Sequence, residues 1–241
     1  MSRALLIFAR RPHPGRVKTR LVPLLSPEEA ATFYECMLRD VLTRTRGLAG
    51  VTRFLFYEDD PEAAGYFREL DVGLLLQQQV GFDLGQRLTD AFARVFAGGF
   101  PVAAVIGTDS PDLPLPFIEQ AFSGLEAGRA DVVFGPAEDG GYYLAALKKP
   151  CPELFREIPW STGAVLETSR THAAAAGLNP LFLPPWHDID EPSDLARPEL
   201  HDEANGAPLT RQFLRRIAPR CQARQPVPDD DPGKAATPAS L

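Results

Sequence analysis

The sequence predicts an α/β protein with a mostly parallel sheet, helices on both faces and at least one antiparallel strand. Short apolar runs alternate with segments of helical periodicity, the order that is typical of β-α-β units. The run 102–106 (VAAVI) is apolar throughout, as expected of a strand buried on both faces of a sheet. An Asp139-Gly140 pair between two further apolar runs indicates a hairpin, which supplies the antiparallel strand.

The elements before this central run follow the same alternation. Ser26-Pro-Glu-Glu29 is a capping box with proline at the first helical position, so a helix is predicted from there to about residue 47. Asp83 is a candidate N-cap for a second long helix. The remaining elements predicted here are strands at 4–9, 53–57 and 73–77 and a short helix at 61–70.

After the central run, the predicted elements are helices at 115–127 and 163–176 and strands at 131–135, 144–147 and 180–183. Residues 1–200 are therefore expected to form one domain, followed by a C-terminal helical extension at 201–218. The segment 219–241 is rich in Pro, Asp, Ala and Ser and has almost no large apolar residues, so it is expected to be disordered.

Composition excludes several classes of function. The net charge of −7 disfavours nucleic-acid binding, which needs a basic face to neutralise phosphates. The cysteines Cys36, Cys151 and Cys221 are far apart, which indicates reduced thiols rather than a zinc site or a disulfide framework. The first apolar run is too short for a signal peptide or a membrane span. These features predict a cytoplasmic protein with small-molecule partners, either a monomer or a homodimer.

A basic loop follows the first predicted strand. Between Arg10 and Arg20 the chain carries five cationic residues and Gly15, in an otherwise acidic protein. Such a loop at a strand end can hold phosphate groups between backbone N–H groups and cationic side chains. It matches neither the Walker nor the Rossmann glycine pattern. The alternative is a solvated loop; the candidate phosphate ligands are Arg10, Arg16, Lys18 and Arg20.

Acidic residues follow two other strand ends. Asp109 and Asp112 come directly after the central run, and Asp188 and Asp190 follow the last predicted strand. Ligands bind at the carboxyl ends of strands in open α/β sheets, and carboxylates are typical ligands of hard cations. Together with the basic loop, they predict a site where Mg²⁺ or Mn²⁺ bridges the phosphates of a nucleotide. The alternative at Asp112 is a turn in which its side chain satisfies backbone N–H groups.

Four further residues are candidates for substrate contacts. Arg87 lies in the first turn of its helix, where the helix dipole does not favour a cation, so it is either a substrate ligand or a surface arginine. Gly140 and Gly141 permit close approach of a ligand to the backbone, or simply form the hairpin turn. Trp160 either packs before a helix or forms a wall of an acceptor pocket.

Six stretches carry a resemblance to a known family: FARRPHPGRVKTRL (8–21), GFDLGQRLTDAF (81–92), VIGTDSPDLP (105–114), VVFGPAEDGGYYLAAL (132–147), IPWST (158–162) and DIDEPSDL (188–195). In the residues of these stretches and in their order along the chain, the protein resembles the GT-A-like rSAM/selenodomain-associated transferases, also known as arsenosugar-biosynthesis glycosyltransferases. These are relatives of molybdopterin-guanylyl and sugar nucleotidyltransferases. The resemblance implies a GT-A-like, nucleotide-diphospho-sugar transferase fold for residues 1–200.

The resemblance also implies roles for particular residues. Asp109 corresponds to the metal-binding aspartate at the end of the central strand, whereas the spacing DSPD, in place of DxD, disfavours Asp112. Asp190 resembles the second metal aspartate, and Lys18 and Arg20 resemble phosphate-contacting residues. Arg10 stands where the family usually has lysine, so the charge is kept but the geometry changes.

The leading hypothesis from the sequence is a metal-dependent transferase that uses a nucleotide-activated sugar. Its metal ligands are Asp109 and Asp190, and the acceptor faces Arg87, Trp160 and Asp139, the last being a candidate general base beside Glu138 and Asp188. One alternative is nucleotidyl transfer from a nucleoside triphosphate to a phosphorylated small molecule. Another is a non-catalytic nucleotide-binding module. The residues assigned to catalysis are Asp109, Asp139 and Lys18, and those assigned to the nucleotide are Arg10, Arg16, Lys18, Arg20, Gly140 and Gly141.

Overall fold

A computed structural model describes residues 2–22 and 24–223. The strands are β1 (Arg3–Ala9), β2 (Val51–Tyr57), β3 (Leu75–Gln78), β4 (Val102–Ile106), β5 (Val132–Pro136), β6 (Tyr142–Leu147) and β7 (Pro180–Phe182). They form one sheet in the order β3-β2-β1-β4-β6-β5-β7. β6 runs antiparallel to both β4 and β5, and the other pairings in the sheet are parallel. The predicted fold class is therefore confirmed, including the antiparallel strand.

The helices begin where the sequence places their caps. Ser26 Oγ accepts a hydrogen bond from the Glu29 N–H at 3.2 Å, and Glu29 Oε2 accepts one from the Ser26 N–H at 3.1 Å. Asp83 Oδ1 accepts from the Gln86 N–H at 2.8 Å. The helices are α1 (Pro27–Thr45), α2 (Ala63–Leu70), α3 (Leu84–Ala97), α4 (Leu115–Glu126), α5 (Val165–Ala175), α6 (Pro198–His201) and α7 (Pro208–Ala223).

Side chains of the central strands alternate between two cores, one on each face of the sheet. On β1, Leu5 and Ile7 pack with residues of α1 and α4, whereas Leu6 packs with residues of α3. Because successive strand residues point to opposite faces, an apolar run places side chains in both cores. Helices consequently cover both faces, as predicted. In the described part of the chain, no helix combines the length and apolarity needed to cross a bilayer.

The C-terminal helix α7 belongs to a third core beside the sheet. Phe213 of α7 packs on Phe33 of α1 with ring centroids 5.1 Å apart, and the buried Ile189 joins the same cluster. The buried carboxylate of Asp40 accepts hydrogen bonds from two N–H groups in the first turn of α7, at 3.2 and 2.8 Å. The C-terminal extension therefore supports the segment that carries Asp190.

The predicted end of that extension needs correction. The helix continues to Ala223, five residues into the segment 219–241 that was expected to be disordered. The boundary at residue 219 was placed by composition, because almost no large apolar residues follow it, but the helix continues past this change in composition. The rest of that segment, 224–241, lies outside the described residues.

Candidate functional site

A cleft of about 680 Å³ opens at the carboxyl ends of β1, β2 and β4. Its wall is formed by the basic loop after β1, by the end of β4 and by the first turn of α3. Because the carboxyl ends of parallel strands meet at one edge of a sheet, segments that are remote in sequence converge there. The predicted residues that line it are Arg10, Arg16, Lys18, Arg20, Arg87, Asp109, Trp160 and Asp190.

Lys18 is the most enclosed charged side chain of this cleft, with 4% of its side chain exposed. Its Nζ donates to Asp109 Oδ1 at 2.5 Å and to Asp190 Oδ1 at 2.7 Å. A third hydrogen bond goes to the carbonyl oxygen of Ile189 at 2.5 Å. Burial alone would lower the pKa of Lys18, but the two carboxylates raise it above its ordinary value. The lysine is therefore a fixed cation between the two aspartates that were predicted as metal ligands.

The backbone around Asp109 and Asp190 is held by two further sets of hydrogen bonds. The Ile189 N–H donates to the carbonyl oxygen of Asp109 at 2.9 Å. The carboxylate of Asp194 accepts from the N–H groups of Asp190 and Glu191 at 2.9 and 2.8 Å. Because these bonds fix the backbone, the carboxylates of Asp109 and Asp190 stay 48% and 39% exposed and remain open to the cleft.

Asp112 has a structural role away from the cleft. Its side chain is buried, accepts a hydrogen bond from Trp186 Nε1 at 3.3 Å and lies 3.1 Å from His187 Nε2. Trp186 and His187 belong to the segment that leads to Asp190. Asp112 therefore holds that segment against the end of β4. The spacing argument against Asp112 as a metal ligand agrees with this position.

The arginines of the cleft are organised by Glu58, at the end of β2. Glu58 Oε1 lies 3.1 Å from Arg10 Nη2 and 2.9 Å from Arg87 Nη1. Sequence reasoning did not identify this role of Glu58; the signal for it is the place of Glu58 after the strand next to β1. Arg16 is exposed on the cleft wall, and Arg20 is 62% exposed with Nη1 3.9 Å from Asp190 Oδ2. Arg10, Arg16 and Arg20 are thus all accessible to an incoming anion, although Arg10 is also paired with Glu58.

Tyr34 joins the basic loop to the central strand, a role that sequence reasoning missed. Its hydroxyl oxygen accepts from the Arg10 N–H and from Thr108 Oγ1, both at 2.9 Å. Burial raises the pKa of the Tyr34 hydroxyl, with the nearby charge of Asp109 as a further cause. The hydroxyl therefore stays protonated and fixes the start of the loop relative to the metal-ligand candidates.

A second pocket of about 200 Å³ adjoins the cleft on the β5–β6 side. Asp139, Asp188 and Trp160 line it, and Trp160 packs edge-on against Tyr142 at 6.2 Å between ring centroids. Of the described residues that line this pocket, none is Lys, Arg or His. Burial and the charges of the neighbouring aspartates raise the pKa of Asp188 to about 6. This pocket is shaped for an uncharged or cationic group.

The two glycines of the hairpin have different positions. Gly141 lines the second pocket and donates its N–H to Asp139 Oδ1 at 2.8 Å. Gly140 lines neither pocket: it has a φ of 89°, and a Cβ there would collide with the backbone of Gly163. This glycine makes room for the chain before α5, and its role in letting a ligand approach the backbone stays a prediction.

The donor set of the cleft fits a divalent cation that arrives with its substrate. Asp109 and Asp190 offer hard carboxylate oxygens on the open side of Lys18. Within residues 2–22 and 24–223, no three His, Cys, Asp or Glu side chains are grouped to hold a metal by themselves. Mg²⁺ commonly binds through one or two carboxylates and completes its coordination with phosphate oxygens and water. The residues therefore fit such an ion only together with a phosphate ligand.

Comparisons with known proteins agree with this architecture. The family model "Uncharacterized protein conserved in bacteria (DUF2064)" matches residues 41–162. A 2-phospho-L-lactate guanylyltransferase of Halorubrum lacusprofundi is 30% identical over 206 residues, covering 79% of this chain and 82% of the relative.

Solved structures extend the comparison. A protein of Desulfovibrio desulfuricans G20, described as a nucleotide-diphospho-sugar transferase, is 29% identical with a TM-score of 0.83, covering 92% of this chain and 98% of that one. Molybdopterin-guanine dinucleotide biosynthesis protein A of Archaeoglobus fulgidus shares the fold, with 12% identity, a TM-score of 0.50 and coverage of 91% and 99%. The resemblance read from the sequence is thereby confirmed. The chain belongs to the DUF2064 family and has the fold of the nucleotide-diphospho-sugar transferases.

Proposed function

We propose that the protein is a metal-dependent nucleotidyltransferase that acts on a nucleoside triphosphate and a phosphorylated small molecule. The observation that carries the proposal is the cluster of Lys18, Asp109 and Asp190 beside the basic loop, at one edge of the sheet. The guanylyltransferase of Halorubrum lacusprofundi, at 30% identity, supports nucleotidyl transfer over the sugar transfer that was the leading hypothesis from the sequence.

The chemistry follows from the charges in the cleft. Arg16 and Arg20 are exposed cations that neutralise the triphosphate, and Arg10 and Arg87 form the adjoining wall. An acceptor phosphate oxygen attacks the α-phosphorus, the bond to the bridging oxygen breaks, and pyrophosphate leaves. The positive side chains stabilise negative charge as it develops on the leaving group. A divalent cation on Asp109 and Asp190 would add Lewis-acid stabilisation of the phosphates.

The acceptor is divided between the two cavities. Its phosphate lies in the main cleft next to the α-phosphate, because the cations are there. Its remaining part enters the second pocket beside Asp139, Asp188 and Trp160. A phosphate is already anionic and needs no general base to become a nucleophile, so Asp139 orients this part of the acceptor instead.

Phe82 is expected to form the platform for the nucleobase. The ring is 97% exposed at the rim of the cleft, while its N–H donates to Gln86 Oε1 at 3.1 Å and fixes the backbone. Stacking of a base on an aromatic ring contributes about 1–3 kcal/mol, so Phe82→Ala should weaken triphosphate binding by about 10- to 100-fold. Calorimetric titration should show this loss for nucleoside triphosphates and unchanged binding of inorganic tripolyphosphate.

Two variants control the Phe82 experiment. Phe82→Tyr keeps the aromatic face and should bind nucleotides like the wild type. Val72 is also exposed, at 92%, but does not line the cleft. Val72→Ala should therefore leave the affinity for both nucleoside triphosphate and tripolyphosphate unchanged. Equal loss of nucleotide and tripolyphosphate affinity in Phe82→Ala would show a general distortion of the cleft instead of a lost stacking contact.

Sugar transfer from a nucleotide sugar is the second candidate. Its support is the second pocket, where carboxylates without a lining cation suit a neutral hydroxyl acceptor better than an anion. Such an acceptor needs a general base, and Asp139 and Asp188, which line this pocket, are the candidates. The D. desulfuricans structure, described as a nucleotide-diphospho-sugar transferase, also supports this candidate.

Thermal-shift titrations separate the two candidates at the level of binding. Each nucleoside triphosphate and each corresponding nucleotide sugar is added with and without Mn²⁺, because a bound ligand raises the melting temperature by mass action. Nucleotidyl transfer predicts a larger, Mn²⁺-dependent shift with one triphosphate than with its nucleotide sugar. The reverse order would favour sugar transfer, and binding without any turnover would favour a non-catalytic module.

A further inference from the structure

The ammonium group of Lys18 occupies an oxygen-lined position that resembles a cation site. Three oxygens of Asp109, Asp190 and Ile189 surround Nζ at 2.5 to 2.7 Å. They come from two segments, because Ile189 and Asp190 are adjacent, and Lys18 lies 91 residues from Asp109 and 172 from Asp190 along the chain. The fold therefore assembles this oxygen set around the lysine from parts that are remote in sequence.

This arrangement conflicts with direct phosphate binding by Lys18 in the state described. A lysine ammonium has three N–H donors, and each has an acceptor within the protein. Arg16 and Arg20 are by contrast exposed to the cleft. A phosphate can gain a hydrogen bond from Lys18 only if the lysine gives up at least one of its present acceptors.

The negative charge around Lys18 favours replacement of its ammonium group by a cation of higher charge. Lys18 contacts two carboxylates, and the carboxylates of Asp139 and Asp188 line the adjoining pocket together with Asp109. One ammonium group offsets only one of these negative charges, whereas a divalent ion offsets two. Lys18 also adopts a left-handed backbone conformation, with φ of 47°, which is disfavoured for a residue other than glycine.

We propose that Lys18 is a tethered cation that keeps divalent metal off Asp109 and Asp190 until a nucleotide binds, and then exchanges with it. On binding, Lys18 leaves the carboxylates to the cation carried by the nucleotide and donates to its phosphates instead. The flexible four-carbon side chain and its strong hydration as a free ammonium suit this movement. The inference rests on the proposed nucleotide site, but its metal component is measurable without nucleotide.

The test measures Mn²⁺ binding from the paramagnetic resonance signal of free Mn²⁺. Wild-type protein with MnCl₂ alone should bind weakly, and Lys18→Met should bind about 100-fold more tightly, since a unit positive charge beside the ion is removed. Arg20→Met is the matched control: it removes a cation 3.9 Å from Asp190 that does not fill the oxygen set, so it should gain little. The double variant with Asp109→Asn should lose the affinity gained by Lys18→Met.

Two outcomes would overturn the proposal. The first is tight Mn²⁺ binding by wild-type protein alone that Asp109→Asn abolishes, because Lys18 would then not exclude the metal. This arm uses the wild type and remains valid if Lys18→Met folds poorly. The second is a folded Lys18→Met variant that gains no Mn²⁺ affinity, which would make Lys18 a permanent structural countercharge.

The nucleotide arm separates failure of this inference from failure of the proposed function. Wild-type protein should bind Mn²⁺ tightly once a nucleoside triphosphate is present. If no nucleoside triphosphate binds at all, the proposed function fails, whatever the metal affinity of Lys18→Met. If triphosphates bind with Mn²⁺ but Lys18→Met gains nothing without them, the function stands and the exchange fails.

Discussion

Replacing Asp109 by asparagine should lower metal-dependent turnover by about 10²- to 10³-fold, the loss typical when one group that stabilises transition-state charge is removed. The substitution is nearly isosteric and removes one of the two carboxylates proposed as metal ligands. Lys18 keeps Asp190 and Ile189 as acceptors, so the fold should persist. The comparison of kcat/KM at several Mn²⁺ concentrations measures the effect.

Asp112→Asn provides the matched control from the same Asp-Ser-Pro-Asp segment. Asp112 is buried against Trp186 and His187 and does not line either cavity, so its replacement should lower the melting temperature more than Asp109→Asn does. Calorimetric titration of nucleotide with Mn²⁺ separates a lost ligand from a weakened fold. Unchanged Mn²⁺-dependent nucleotide binding in Asp109→Asn would remove Asp109 from the metal site.

The largest expected effect on stability is at Asp71, beyond the cleft. Its carboxylate is 4% exposed and lies 3.0 Å from Arg46 Nε and 2.8 Å from Arg53 Nη1. Asp71→Asn removes the countercharge of a nearly buried arginine, and breaking such a pair costs about 3 kcal/mol or more in the free energy of unfolding. Urea denaturation of both proteins at neutral pH measures this difference.

The pH dependence of stability provides a second measurement on Asp71. Burial alone would raise the pKa of Asp71, but hydrogen bonds from Arg46, Arg53 and the Gly73 N–H lower it. A carboxyl whose folded pKa lies below its unfolded value of about 4 stabilises the fold above that pH, and this stabilisation is lost on acidification. Asp71→Asn should remove this part of the acid sensitivity. If the slope of stability between about pH 5 and pH 3, where carboxyl groups titrate, is the same in both proteins, the assignment is contradicted.

An exposed ion pair serves as the control for Asp71. Arg170 and Glu167 lie on the solvent face of α5 with side chains 58% and 66% exposed. Water screens such a pair, and its removal usually changes stability very little. Glu167→Gln should therefore leave the urea midpoint nearly unchanged. The loss of stability in Asp71→Asn would then be due to the burial of its ion pair and not to the removal of a charge alone.

Much of the fold could be predicted because its signals are local. The apolar run of β4 and the capping box at Ser26 each lie within a few residues, and both agree with the structure. The hairpin signal at Asp139-Gly140 correctly indicated the antiparallel strand, since a short turn reverses the chain direction. The convergence of the basic loop with Asp109 followed from the rule that parallel strands end at one edge.

The errors and omissions concern contacts that no local pattern encodes. The sequence marked Lys18 as a phosphate ligand, but not that acceptors from two distant segments engage its donors. The role of Glu58 was missed because its arginine partners come from other parts of the chain. At Gly140 the local sequence cannot show that the backbone of Gly163 packs against it.

Pyrophosphate release is the most direct measurement of the central proposal. The protein is incubated with Mn²⁺, each nucleoside triphosphate in turn and a panel of phosphorylated small molecules, and pyrophosphate is quantified against the nucleotide consumed. The account predicts equimolar pyrophosphate and nucleotidylated acceptor with one triphosphate, and loss of both in Asp109→Asn. Release of a nucleoside diphosphate from a nucleotide sugar, with no pyrophosphate from any triphosphate, would contradict it.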